Sequence, residues 1–122
     1  MYASEIKEVK DPSCIPDPKG YKILVAIPTV EEKTEGGIIR PDSLRKLEEV
    51  ASIFGFVVSL GPDAYADKNK FPTGAWCKSG DWVIFRSYSG TRLKIEDQEF
   101  RLINDDSVEA VVDDPRKIER AI

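Results

Sequence analysis

The sequence has no histidine and only two cysteines among its 122 residues. Without histidine the chain lacks the commonest general base, the commonest metal ligand and the central member of the familiar nucleophile triads. Cys14 and Cys77 show no repeated spacing, so they form neither a disulfide framework nor a zinc site, and a reducing compartment is the simpler interpretation. Any enzyme built on this chain would have to work with carboxylates, lysines or tyrosines alone.

The chain also lacks an excess of positive charge and long apolar runs, since its 18 lysines and arginines are outnumbered by 22 aspartates and glutamates. The formal net charge is -4 and the pI about 4.9, so no basic field exists to attract nucleic acid or an anionic lipid surface. No run approaches the roughly 20 apolar residues that a membrane span requires, and residues 1–10 contain no signal-peptide core. We expect a single domain that stays in the cytoplasm, with neither nucleic acid nor membrane as a partner.

What the chain does have is a series of short segments rich in branched and aromatic residues, separated by turn residues. These predicted strands are residues 20–27, 54–61, 82–86, 92–95, 99–103 and 107–112. Alternation in the first places Tyr21, Ile23, Val25 and Ile27 on one face. Several short strands with at most one short helix, over 42–53, favour a small all-β barrel or sandwich.

Four segments do not fit this pattern. Residues 1–19 contain three prolines and predict an extended arm with little packing of its own, and residues 114–122 form a charged tail. The excursion over 29–52 and the loop over 63–74 are both too long for simple connections, and long connections are usually functional or disordered.

Most side chains that could take part in catalysis or metal binding have simpler structural explanations. Ser43 and Lys46 match a serine acyl-enzyme pattern, but its companion motifs are absent. The paired aspartates 105–106 and 113–114 flank a strand without ligand spacing and are interpreted as solvated turn charges.

The aromatic residues and the second cysteine are also interpreted structurally. Trp76, Trp82, Phe85 and Phe100 are expected in the core or at its rim. Tyr65 and Phe71 form either a local cluster or a contact surface, and the two alternatives are equally weighted. Cys77 has no histidine beside it to activate the thiol, so a structural role is expected.

A glycine pair, Gly36 and Gly37, stands directly before Ile38 and Ile39 in the first long excursion. One interpretation is a turn that leads into an edge strand. The other is a polar loop that displays a short apolar hook to a partner with a hydrophobic groove.

Five motifs in the same order decide between these interpretations. GYKILVAI, EEKTEGGII, FGFVVSLGPD, KSGDWVIF and RLKIEDQEFRLINDDSVEAVV together resemble the GroES co-chaperonin family, chaperonin 10, over residues 20–113. The resemblance implies an irregular Greek-key β-barrel that assembles into a homoheptameric ring. Such a ring is the lid that caps a large GroEL-type chaperonin in its nucleotide-bound state and assists protein folding, with no catalytic residues, cofactor or metal of its own.

The resemblance also implies roles for particular segments. Residues 29–52 match the family's mobile loop, and its chaperonin-binding anchor corresponds to Gly36, Gly37, Ile38, Ile39 and Arg40. Residues 63–74 match the hairpin that builds the roof of the dome. The strands near 20–27 and 108–112 match those that pair between neighbouring subunits.

This chain departs from the family pattern in two ways. Arg40 stands where a third apolar anchor residue is usual, and the two long excursions are extended. The extensions are more similar to co-chaperonins encoded by bacteriophages, which implies a lid for folding capsid protein in a bacterial host cytoplasm. The rival hypotheses are a monomeric β-barrel that binds peptides or other ligands and a zinc-dependent alcohol dehydrogenase, whose cysteine and histidine ligands and dinucleotide-binding domain are absent.

Overall fold

The computed structural model describes residues 2–6, 9–32, 53–87 and 89–115. These residues contain eight β-strands and two short 3₁₀ turns, which confirms the all-β prediction. The strands are β1 Tyr2–Glu5, β2 Lys22–Ala26, β3 Thr29–Glu32, β4 Phe54–Leu60, β5 Trp82–Phe85, β6 Thr91–Ile95, β7 Gln98–Asn104 and β8 Val108–Val112, and the 3₁₀ turns are Pro12–Cys14 and Asp105–Ser107. Within the described ranges no helix has the length and apolar character needed to cross a bilayer.

Six of the strands form one antiparallel sheet in the order β6-β7-β2-β4-β5-β8, and β1 pairs with β3 in a separate two-stranded ribbon. Strands β2, β4 and β5 lie side by side, while β7 returns to lie beside β2. This arrangement is the Greek-key order, so that part of the prediction is also confirmed.

Strand β2 lies at the centre of the sheet and is buried on both faces. Its side chains alternate between two apolar clusters, with Ile23 and Val25 on one face and Leu24 and Ala26 on the other, all fully buried. This double burial explains why the strand is apolar without interruption. Tyr21 precedes the strand and is 52% exposed, so of the four residues predicted to alternate onto one face, those in the core are Ile23, Val25 and Ile27.

The central position of β2 also corrects the expectation that residues 20–27 pair between subunits. The backbone of β2 is hydrogen-bonded to β4 on one side and to β7 on the other. Both of its edges are therefore already used within one chain, and it has no ladder position left for a neighbour.

One face of the sheet is covered by the β4–β5 loop, residues 61–81, and we call the apolar side chains between them the loop-side cluster. Tyr65, Phe71 and Cys77 of this loop join side chains from the strands. The buried members are Ile23, Val25, Ile27, Val57, Tyr65, Phe71, Cys77, Val83, Phe85, Ile103 and Val108.

The other face is covered by the N-terminal arm. Ile6, Val9 and Ile15 pack there against an arm-side cluster whose buried members are Leu24, Ala26 and Phe100 and whose half-buried strand residues are Phe56, Val58, Leu93, Ile95 and Leu102. The arm was expected to pack little, and the structure corrects this. Its three apolar residues are separated by polar and proline positions, so no periodicity marked them as core residues.

Candidate functional site

The predicted chaperonin-binding residues, Gly36, Gly37, Ile38, Ile39 and Arg40, lie outside the described residues, as does the predicted helix over 42–53 apart from its last residue, Ile53, which lies in a turn. The structure describes the two points at which this segment leaves and rejoins the fold. Strand β3 ends at residue 32, and the chain is described again from residue 53, immediately before β4.

The link between β2 and β3 is held by a buried glutamine. The Gln98 side chain is 1% exposed, and its Nε2 donates hydrogen bonds of 2.7 Å to the carbonyls of Ile27 and Glu99. The Ile27 backbone N–H in turn donates to the Glu99 carbonyl at 2.9 Å. Since buried carbonyls need partners, this amide fixes the end of β2 where the excursion begins. Nothing in the local sequence marked Gln98, because its partner lies far away along the chain.

The return point is held by the core. The Ile53 carbonyl accepts a hydrogen bond of 2.8 Å from the Phe85 backbone N–H, and the Phe54 side chain is 1% exposed. A Cβ at Gly55 would lie 3.0 Å from the Ala26 carbonyl oxygen, so β4 approaches β2 closely here. The return into β4 is therefore fixed by the core, whereas the departure is from β3, whose described contact is its backbone pairing with β1.

The second long excursion, the β4–β5 loop, is a chain of turns. None of its residues pairs in a strand, so the structure replaces the expected roof hairpin over 63–74 with a compact loop on the sheet. Tyr65 is 7% exposed and Phe71 3%, and their rings meet edge to face with centroids 4.9 Å apart. Of the two alternatives for these residues, the local cluster is confirmed.

Two neighbouring aspartates hold this loop in place. The buried Asp105 carboxylate accepts a hydrogen bond of 3.0 Å from the backbone N–H of Tyr65, whose φ of 60° is left-handed. Lys70 forms an ion pair of 2.7 Å with Asp106, and that hydrogen bond lowers the pKa of the Asp106 carboxyl. Asp105 was predicted to be a solvated turn charge. This prediction is wrong, because the Asp105 carboxylate is buried and accepts a hydrogen bond from a backbone N–H forty residues away in sequence.

Cys77 has the surroundings of a structural cysteine. It is 5% exposed, and its Sγ lies 3.4 Å from the Tyr65 hydroxyl. Burial raises the pKa of both the Cys77 thiol and the Tyr65 phenol. A thiol that stays protonated is a poor nucleophile, so the structural interpretation of Cys77 is confirmed.

The outer edge of β8 borders an apolar groove. Strand β8 is paired with β5 on one side, and no strand of the described residues pairs with its other side. The groove has a volume of about 390 Å³ and is lined by Trp76, Val108, Glu109, Ala110 and Val111. Trp76 is 41% exposed and Val111 44%, so the groove presents apolar surface to solvent. Sequence reasoning placed Trp76 only at the core or its rim, because an isolated aromatic carries no periodicity.

No cluster of metal-ligating side chains is found among the described residues. Asp63, Asp67, Asp105 and Asp106 line one pocket with Lys70, but no three acidic or thiol side chains there are placed to hold a metal ion. Lys70 is bound to one of these carboxylates and supplies positive charge itself.

Comparison with known proteins identifies one family. The family model described as "Chaperonin 10 Kd subunit" matches residues 17–112. Curated relatives named co-chaperonin GroES include that of Caldicellulosiruptor saccharolyticus, 34% identical over 80% of this chain and 96% of the relative. That of Solidesulfovibrio magneticus is 34% identical over 79% and 95%, and that of Clostridium botulinum is 30% identical over 79% and 96%.

Proposed function

The chain belongs to the chaperonin 10 family, the GroES co-chaperonins, and from that premise we propose that it forms a ring-shaped lid on a GroEL-type chaperonin. It is a co-chaperonin and not an enzyme, as the sequence resemblance predicted. The observation that carries the proposal is the match over residues 17–112, which spans the segment 33–52, the strands β3 and β4 on either side of it, and β8. We propose that it acts in the cytoplasm.

We assign chaperonin binding to the Gly36–Arg40 stretch of that segment. Burial of Ile38 and Ile39 in an apolar groove would yield about 1.5 to 3 kcal/mol for each side chain. Ordering a segment on binding costs roughly 2 to 5 kcal/mol, so a single copy binds weakly. Linked copies gain about a hundredfold or more in avidity without a new contact, which is the physical reason for a ring.

The ring contact that we propose uses the free edge of β8. Residues 16–19 precede β2 as chain without helix or strand, and Ile15 before them has extended dihedrals of -74° and 124°. An extended segment of one subunit can add to an open strand edge of the next. Because the two surfaces differ, the contact is head-to-tail and repeats until the ring closes, for which we propose seven subunits.

The test is ATP-dependent co-migration with a bacterial large chaperonin on a sizing column. We expect the wild type to co-migrate only when ATP is present, and Ile38→Ser and Ile39→Ser to lose co-migration while still forming rings. Glu35→Ser is the matched control, because it changes the same segment without removing apolar surface.

Two other results would change the proposal. A wild type that stays monomeric and never co-migrates would favour the peptide-binding module. Retention of binding by Arg40→Glu would remove Arg40 from the anchor, where we propose that it pairs with an acidic rim on the chaperonin. The bacteriophage origin and the capsid-protein client remain hypotheses that rest on the two extended excursions.

A further inference from the structure

Trp76 is the exposed aromatic side chain of the groove beside β8. We propose that Trp76 is a contact residue between neighbouring subunits, seated against the segment of a second copy that adds to the edge of β8. This inference rests on the proposed ring and extends it, because it assigns to the β4–β5 loop a role in assembly.

Trp76 is held in place before any partner arrives. Its ring lies edge-on to Phe71 with centroids 4.9 Å apart and planes at 85°, and the Tyr65 ring centroid is 5.8 Å away. Phe71 and Tyr65 are buried in the loop-side cluster, so they give the indole a rigid support. A large aromatic that is already ordered on one side and solvated on the other has the properties of an interface hot spot.

The loop that carries Trp76 is fixed to the same part of the fold as β8. Asp105 and Asp106, which hold the loop through Tyr65 and Lys70, lie in the 3₁₀ turn directly before β8. The indole and the strand edge are therefore parts of one rigid surface. A partner that pairs with the edge lies along the groove that Trp76 lines.

The features of the groove favour a second copy of this chain as the occupant. Tyr21, Trp76 and Val111 are the exposed large apolar side chains of the described residues, and two of the three line this groove. An open strand edge flanked by such side chains is an aggregation hazard unless an assembly covers it. The single charged residue of the lining is Glu109, and the extended segment proposed as its partner carries one charge of each sign, Asp17 and Lys19, paired with each other at 3.2 Å, so it brings no net negative charge against Glu109.

The first experiment uses Trp76 as its own reporter. The chain has two tryptophans, so Trp82→Phe leaves Trp76 as the sole indole. A dilution series of this variant is followed by sedimentation velocity, with indole emission and acrylamide quenching measured on the same samples. We expect a blue shift and at least a twofold loss of quenching as subunits assemble into rings.

The second experiment keeps Trp82 in place. Trp76→Ser is expected to weaken each subunit contact by about thirtyfold, as truncation of a hot spot does, and Trp76→Phe to restore most of the association. Circular dichroism of the dilute monomers should be alike for the two variants, and association is compared at a temperature where thermal unfolding shows both to be folded, since Trp76→Ser also removes the ring contacts with Phe71 and Tyr65.

The possible failures can be told apart. Rings that form with Trp76 still open to acrylamide, and with Trp76→Ser as stable as wild type, would overturn this inference and leave the ring intact. Protection of Trp76 already in the dilute monomer would put a segment of the same chain in the groove and overturn it too. A wild type that never assembles would overturn both the ring and the role of Trp76.

Discussion

The two faces of the sheet are covered in different ways, and the difference separates structural from peripheral parts of the chain. The β4–β5 loop places Tyr65, Phe71 and Cys77 in the core, each no more than 7% exposed. The N-terminal arm contributes Ile6, Val9 and Ile15, which are only half-buried.

The hydrogen bonds that attach the β4–β5 loop and the N-terminal arm also differ in burial. The loop is held by the buried hydrogen bond between the Tyr65 backbone N–H and Asp105. The arm is held by two exposed hydrogen bonds of 3.1 Å, from the backbone N–H groups of Lys10 and Asp11 to the carboxylate oxygens of Glu96. Exposed hydrogen bonds compete with water and contribute less than buried ones. The loop is therefore an integral part of the core, whereas the arm is a cover that can be weakened without loss of the fold.

The largest predicted effect is that of Phe71→Ala in the loop. Removing a buried phenylalanine costs about 3 to 5 kcal/mol through lost burial and the cavity left behind. We expect that loss in urea unfolding at one fixed protein concentration, since assembly makes apparent stability concentration-dependent. Lys68→Ala, an exposed change in the same loop, should stay within about 0.5 kcal/mol of wild type. A cost below about 1 kcal/mol for Phe71→Ala would show that the loop is not part of the core.

The second prediction concerns alkaline pH. Burial raises the pKa of the Tyr65 phenol above its usual 10.0, so the folded protein keeps a proton that the unfolded chain loses. The stabilisation is full below pH 10 and falls by about 1.4 kcal/mol per pH unit as pH rises from there towards the higher folded pKa, where the loss is complete. Tyr65→Phe should therefore lose less stability than wild type between pH 10 and 11.

Cys77 also titrates in the alkaline range, since burial raises the pKa of its thiol above the usual 9.0. Cys77→Ala is the matched variant, because it removes the thiol and leaves the phenol. Equal alkaline stability of wild type and Tyr65→Phe would mean that the phenol is accessible in the folded state, against its burial here.

The arm should respond more weakly than the loop. Full burial of an isoleucine yields about 1.5 to 3 kcal/mol, so Ile15→Ala at a half-buried position should cost about 1 kcal/mol in urea unfolding. Lys10→Ala, an exposed change in the arm that keeps the backbone N–H, is the control and should change little. If Ile15→Ala lowered the free energy of unfolding as much as Phe71→Ala does, the arm and the loop would contribute equally to the core.

The sequence predicted those elements whose signal is local. The strand segments at residues 54–61, 82–86 and 107–112 differ from β4, β5 and β8 by one residue at one end, because apolar runs bounded by turn residues define them. The ribbon of β1 and β3 was not predicted, since Tyr2–Glu5 and Thr29–Glu32 carry few apolar residues and depend on each other for pairing.

The candidate site shows the same limit. Family resemblance pointed to Gly36–Arg40 from a contiguous motif, and that stretch lies outside the described residues. The groove beside β8 was not predicted, because it joins Trp76 to residues more than thirty positions further along the chain. The burial of Asp105 was also missed, since its partner is a backbone N–H distant in sequence.

The smallest predicted effect tests how the arm depends on the β6–β7 turn. Glu96 and Asp97 both have left-handed φ values, 48° and 68°, in a two-residue turn where glycine is favoured at the second position. Asp97→Gly removes strain there and keeps the Glu96 carboxylate that holds the arm. We expect a gain of about 0.5 kcal/mol in urea unfolding, because the greater freedom of glycine in the unfolded chain offsets part of the relief.

Glu96→Gly relieves comparable strain but removes both hydrogen bonds to the arm. Since each such bond contributes about 0.5 to 1.5 kcal/mol when well formed, this variant should be no more stable than wild type, and its arm should be cut faster by protease. If Glu96→Gly gained as much stability as Asp97→Gly, the two hydrogen bonds would contribute nothing, and the arm would be held by the pairing of β1 with β3 and by its isoleucine and valine contacts. The comparison of the two glycine variants thus separates strain in the turn from attachment of the arm.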